Sequence, residues 1–470
     1  MKKINVFFCM TVLLTTVMFM NSCSKEEQIV PKITSVELEH LPTKTVYYVG
    51  EEFDVSGLTL KVTYSDNLSK IVVVKKEQVT GFTSTAPNSN LVLQVKESGF
   101  LVTFSVSIAS NGVQSVSIKH NPSKVVYTLG ESLSLEGMAL EVAYENGITK
   151  EINSVSADMI SGFDSSKPSL KQLLKVVVED KEASLEVSVL PIKVVNNEIV
   201  SSVASEVRSF VIPEGITAIK EAAFFDNATV EEVVFPTSLR SIGDEAFDHC
   251  LNLKLADLSK TAVVELSNGV FGRTALTTIS LPKTLKIVGP MAFYSTRNLK
   301  EVTLPDGVEE IGLTAFTNSA IETITIPNTV YSIGRAFYQC DMLKTIRTAG
   351  TKTTVSTDKV AKIEGECFNH SANIETLEIP ESITTIGISV LGQCKVKHLT
   401  LPASVRMLAH NAFGGASSLE EITLKSATKV VASYYPVPST IKAIKVPAQL
   451  VDEYKADQFW KDFADKIIAL

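Results

Sequence analysis

In the second half of the chain, apolar and polar positions alternate in short runs that return at a fixed spacing. In Val302-Thr-Leu304-Pro305 the two aliphatic side chains face one way and Thr303 the other, as the two-residue period of a strand requires. Ile324-Thr-Ile326-Pro327 and Ile422-Thr-Leu424 repeat it. Proline ends each strand because it has no N–H to give a ladder. Pro213, Pro236, Pro282, Pro305, Pro327, Pro380 and Pro402 mark successive copies, with Ser259 in the slot between Pro236 and Pro282, so most copies lie 22 or 23 residues apart. A phenylalanine follows each, at 224, 247, 271, 293, 316, 337, 368 and 413, with Leu391 substituting once. Between them, Val/Leu-x-x-Ile-Gly reads as a second short strand, and Ala-Phe-x-x as a turn of helix. No single copy can bury these residues, whereas stacked coils share one core. The pattern predicts a solenoid.

The Ile-Gly-x-x-Ala-Phe skeleton, as in Ile242-Gly-Asp-Glu-Ala-Phe247, resembles the BspA-like leucine-rich repeat proteins, whose period also falls in the range of about 20–29 residues. The resemblance covers roughly residues 209–470. It implies a cell-surface protein of the adhesin kind, with members that bind host matrix glycoproteins, and it implies no catalysis.

The first half alternates too, and it is duplicated. Tyr47-Tyr-Val-Gly50-Glu51 matches Tyr127-Thr-Leu-Gly130-Glu131, Gly57-Leu-Thr-Leu60 matches Gly137-Met-Ala-Leu140, and Gly81-Phe82 matches Gly162-Phe163. Short alternating runs such as Leu91-Val-Leu93-Gln-Val95, parted by turn signals such as Asn146-Gly147, predict a β-sandwich in each copy. These landmarks resemble bacterial immunoglobulin-like domains. The expected fold is therefore mainly β: two bacterial Ig-like sandwiches, then a leucine-rich repeat solenoid with a C-terminal capping helix.

The expected domain order starts with a lipoprotein signal peptide (1–22) and a lipid-anchor linker (23–32). Ig-like domains follow at 33–110 and 111–190, then a connector (191–208), the repeats (209–447) and a C-terminal cap (448–470). Met1-Lys-Lys-Ile, an apolar run from Val6 to Met20 and then Asn21-Ser-Cys23 have the form of a secretory leader ending in a lipobox, with Met20 where leucine is usual. Cys23 is the expected lipid-attachment residue, and Ser24-Lys-Glu-Glu27 after it resembles an acidic export tag. That arrangement expects an outer-membrane, surface-exposed protein that meets the membrane only through its anchor. Gln449 through Ile467 has helical apolar spacing and holds the chain's single tryptophan, Trp460, as a solenoid cap would. One polar insertion, Thr348 to Thr357, interrupts the repeats and is expected to be a loop.

A formal charge of −8 lacks the basic footprint of nucleic-acid binding. Cys250, Cys340 and Cys394 each stand three residues beyond the repeat Phe/Leu, a position wanting a small residue, and are expected as buried free thiols. His40, His120, His249, His370, His398 and His410 show no metal-ligand spacing. Repeat glycines such as Gly289 and Gly312 read as backbone bends. No catalytic residue, metal or cofactor is expected.

Binding chemistry rests on the outward positions of the proline-terminated strands: Val234, Asp257, Ser280, Thr303, Thr325, Arg347, Glu378, Thr400, Thr423 and Lys445. Two accounts stand. One is a solvated threonine ladder of good strand formers. The other is an extended face for a protein partner, such as a host matrix glycoprotein, with Thr303, Thr325, Arg347, Glu378, Thr400 and Thr423 as candidate contacts. A glycan-binding accessory lipoprotein of a nutrient-uptake system is the alternative, although this row has no aromatic platform. Phe225, Tyr294 and Tyr338 form a separate candidate apolar patch.

Overall fold

The computed structural model describes residues 30–351 and 359–470, and nearly all of their regular structure is strand. The leader, Cys23, the Ser24-to-Glu27 tag and residues 352–358, which take in most of the insertion, lie outside the described residues.

Strands Ile33–His40, Thr59–Tyr64 and Ser69–Val73 make one sheet of the first sandwich. Val46–Tyr48, Val79–Thr80, Asn88–Glu97 and Phe100–Ala109 make the other. Their inward residues, among them Tyr47, Leu60, Leu93 and Phe104, form one core. The second sandwich repeats this plan, with Val113–His120, Ala139–Tyr144 and Thr149–Ile152 in one sheet. Val126–Tyr127, Ile160–Ser161, Ser169–Val178 and Lys181–Val189 form its partner sheet.

The duplicated landmarks now have a cause. Buried Tyr47 places its hydroxyl 2.9 Å from the Lys44 carbonyl and 3.0 Å from that of Asp54, and Tyr127 does the same at Lys124 and Ser134. Glu51 accepts from the Tyr48 N–H at 2.9 Å and Glu131 from the Thr128 N–H at 2.7 Å. The turn between requires a left-handed residue, supplied by Gly50 (φ 89°) and Gly130 (φ 80°).

Beyond the sandwiches, each coil contributes two strands in parallel with those of its neighbours. The strands ending near the prolines form three four-stranded sheets. The first runs from Ser209–Val211 to Thr278–Ser280, the second from Glu301–Thr303 to Thr376–Leu377, and the third from His398–Leu401 to Ile467–Ala469. The second-row strands from Glu265–Leu266 to Val431–Ala432 form an eight-stranded sheet, while Ala218–Ile219 and Ser241–Ile242 belong to a separate four-stranded one. Between the rows the repeat phenylalanines stack face to face: Phe224 on Phe247 at 4.5 Å, and so on to Phe337 on Phe368 at 5.6 Å. All are buried, each ring contributing about 1.5–3 kcal/mol by leaving water.

The Ala-Phe segment, expected as a turn of helix, is instead a chain of turns. Residues before the alanine (Ala222, Glu245, Met291, Thr314, Asn411) and two beyond the phenylalanine (Asp226, His249, Ser295, Asn318, His370) have positive φ. This alternation points every second N–H along the stacking axis: Ala222, Phe224 and Asp226 donate to the carbonyls of Asp244, Ala246 and Asp248 in the next coil, at 2.9, 2.8 and 3.0 Å. An α-helix would have used those donors internally.

Both ends of the solenoid are covered. Residues 191–208, read as a connector, carry an antiparallel hairpin, Ile192–Val195 with Glu198–Ser202, turned by left-handed Asn196 and Asn197. Its second strand pairs in parallel with Ala218–Ile219, and Ile192 and Ile199 are buried in the solenoid core. At the other end the helix is short, Val451–Ala456; Asp457 is extended, a 3-10 turn follows at Lys461–Phe463, and Ile467–Ala469 joins the sheet beside Ala443–Val446. Helical apolar spacing across 449–467 thus marked burial, and only Val451–Ala456 of it is α-helix. Trp460 is completely buried, its Nε1 donating to the Val430 carbonyl at 3.3 Å.

Candidate partner-binding face

Alternation along the proline-terminated strands buries Val302, Ile324 and Ile346 and presents Thr303, Thr325 and Arg347 to solvent in direct register on adjacent strands. Glu378 continues the row one residue past the end of Thr376–Leu377, and Thr400 stands exposed on the next sheet. The row is broken between those two sheets. There Glu378 and Thr400 come together on a cleft of about 500 Å³, with Thr348, Glu381, His398 and Lys425 also on its walls. The Glu378 carboxylate accepts from the Thr348 N–H at 2.7 Å and the Thr348 hydroxyl at 3.2 Å. Thr348 itself lies in strand Thr345–Ala349, so the insertion opens with strand rather than loop. Among the described residues Arg347 has no ion-pair partner.

Thr423 departs from the expectation. It is 9% exposed, and beside it in register stands Lys445, whose ammonium pairs with Glu421 at 2.8 Å. The exposed set is therefore Thr303, Thr325, Arg347, Glu378 and Thr400.

Around the corner from this face, ion pairs link successive coils. Glu231 bonds Arg208 at 3.1 Å and Lys254 at 3.0 Å, Lys300 pairs with Glu322 at 3.3 Å, and Lys442 with Glu420 at 2.8 Å. The hydrogen bond from Lys254 holds the Glu231 carboxyl below its ordinary value, as that from Lys442 does for Glu420. Such exposed pairs set the surface potential more than stability.

On the turn side, Phe225, Tyr294 and Tyr338 are each engaged: Phe225 edge-on with His249, Tyr294 under Arg273, and Tyr338 under Arg335 at 3.7 Å. Asp248 is buried and bonded by Arg273, with His249 Nδ1 at 3.3 Å. This cluster ties adjacent coils together.

The four described cysteines are free and buried. Burial pushes the Cys250, Cys340 and Cys394 thiols up to about 12, and Cys367 higher still. Thiols so protonated are poor nucleophiles. Among the described residues no cluster of three His, Cys, Asp or Glu could hold a metal, and no helix is long and apolar enough to cross a membrane.

A sequence profile of the BspA type Leucine rich repeat region (6 copies) matches residues 199–272, 264–359 and 348–461. The chain belongs to the BspA-type leucine-rich repeat family. A profile of the bacterial Ig-like domain (group 3) matches residues 40–108, within the first sandwich. Pectate lyase L of Thermoclostridium stercorarium is 34% identical over 143 residues, which is 30% of this BspA-type chain and only 11% of the lyase. A leucine-rich repeat protein from Bacteroides ovatus has a crystal structure with TM-score 0.34 and 23% identity, covering 53% of this chain and 66% of that one. A leucine rich cell surface protein from Faecalibacterium prausnitzii gives 0.29 and 20%, covering 63% and 92%.

The cleft between the second and third sheets escaped sequence reasoning, since the proline spacing does not reveal a break in pairing. His398 and Lys425 were missed for the same reason.

Proposed function

We propose that this BspA-type chain is a non-catalytic surface lipoprotein of the outer membrane. Cys23 carries the lipid, the Ig-like sandwiches are spacers, and the proline-terminated strand face binds a protein partner of the matrix-glycoprotein kind. One observation supports the face above all: an exposed row ending in Arg347, without an ion-pair partner among the described residues, and in Glu378, set beside a cleft of about 500 Å³. Specific protein interfaces favour arginine at their centre and charge complementarity for register. The row carries no aromatic ring, which separates this reading from a saccharide platform there.

The test uses residues 24–470 on immobilised fibronectin, laminin and collagen, beside Arg347→Glu and Glu378→Lys. Saturable binding that weakens about tenfold or more in either variant is expected. Binding that ignores both charge reversals would sink the assignment of the face. The anchor is tested separately, by metabolic labelling with an alkynyl fatty acid; Cys23→Ser should abolish incorporation, and labelling that persists would refute lipid attachment there.

A further inference from the structure

The left-handed residue ahead of the repeat alanine points its side chain outward in coil after coil, and its occupants are small, aliphatic or polar: Ala222, Glu245, Met291, Thr314, Ser389. In the last coil the same slot holds Tyr435, with φ 54° and 65% of its surface exposed. That ring lies on the wall of a cleft of about 640 Å³ formed with Asn411, Ser439, Thr440, Asp462 and Phe463. The volume is in the range of small-molecule sites, about 300–1,000 Å³. Neighbouring Tyr434 packs edge-on against Phe459 at 5.1 Å, which braces the segment carrying Tyr435.

The lining chemistry narrows the ligand. Two aromatic rings, Tyr435 and Phe463, supply flat apolar surface. The polar groups are a neutral amide and hydroxyls, which both donate and accept, and one carboxylate, which accepts. Among the described residues no lysine or arginine lines the cleft, so its lining offers an anion no cationic partner. A pyranose ring matches this set: its axial C–H groups form an apolar face for stacking, and its equatorial hydroxyls need partners of both kinds around the edge. We infer that the Tyr435 cleft at the C-terminal end of the solenoid is a binding site for a neutral saccharide, distinct from the strand face proposed for a protein partner.

The test is affinity electrophoresis of residues 24–470 through native gels containing soluble amylopectin, arabinoxylan or galactomannan, with polygalacturonate as the anionic comparison. At least one neutral polysaccharide should retard the protein. Tyr435→Ala should weaken that binding about tenfold or more. Tyr435→Phe should keep it, and Asp462→Asn should weaken it without abolishing it. Because Tyr435 is exposed, an unchanged thermal melt is expected for each variant. Arg347→Glu should leave retardation intact, which separates this site from the strand face. No retardation in any neutral gel, equal retardation of Tyr435→Ala, or retardation by polygalacturonate alone would overturn the inference. So would Tyr435-dependent binding of an apolar peptide without any response to saccharide.

Discussion

The Sγ of Cys340 donates to the carbonyl oxygen of Phe316, one coil earlier, at 3.1 Å. Cys250 and Cys394 do the same to Phe224 and Phe368, at 3.0 and 3.1 Å, and Ser371 to Phe337 at 2.6 Å. At these four positions the small residue therefore bonds the previous coil beside the phenylalanine stack, whereas Thr274 and Thr296 in the same slot bond the Phe271 and Phe293 carbonyls of their own coils.

Cys340→Ser should fold with little loss, because Ser371 shows that a hydroxyl serves the same carbonyl. Cys340→Ala removes the donor and leaves a small void, at a cost of about 1–2 kcal/mol. Urea denaturation of the two variants checks this; equal destabilisation would show that volume alone matters at the position.

The same thiols make stability fall in alkali. Their folded values lie near 12 against an ordinary 9.0, so the fold keeps protons that the unfolded chain releases. The contribution is fully present below about pH 9 and is lost as pH rises toward about 12. Urea midpoints should therefore drop between about pH 8.5 and about pH 10.5. A triple serine variant at 250, 340 and 394 should show a shallower drop, and an unchanged slope would mean that other groups dominate.

Gly312→Ala should destabilise by about 1–3 kcal/mol or more. A Cβ there would sit 2.6 Å from the Pro290 nitrogen and 2.7 Å from the Gly289 carbonyl carbon. The exposed Ala372→Gly change, at a position without such a constraint, is the comparison in the same melt. A neutral Gly312→Ala would mean that the coils can separate locally.

Trp460→Ala should cost about 3–5 kcal/mol, since it empties a completely buried site. It also strands the Val430 carbonyl that accepts from Nε1. Exposing the last coil should promote self-association, because a solenoid end without its cap presents bare core. Sedimentation and thermal melts give the two readouts, and a stable monomer would argue against the cap role.

Much of this architecture was legible in the chain. The spacing of Pro282, Pro305 and Pro327, with Phe293 and Phe316 between, encodes coil length and the buried spine, because every copy meets the same neighbours. The Tyr47 and Tyr127 landmarks marked the two sandwiches for a similar reason: each hydroxyl serves a local turn, so the whole motif lies within a few residues. Gly289 and Gly312 were visible as repeat positions but read as bends. Their reason lies in the adjacent coil's backbone, which is about one period away in sequence.

Sequence by itself determined which residues face the core, because strand alternation and coil period are properties of local spacing. Only the tertiary structure decided which outward residues stay outward. Thr303 and Thr423 occupy the same repeat slot, yet Thr423 is nearly buried on a strand flanked in register by Thr400 and Lys445. Glu378 and Thr400 occupy it too, yet they share a cleft because strand pairing stops between them. Tyr435 gains its cleft from Asp462 and Phe463, which return from the chain's last segment. In each case the deciding partner lies on another coil or in the cap, and contacts of that kind leave no period in the sequence.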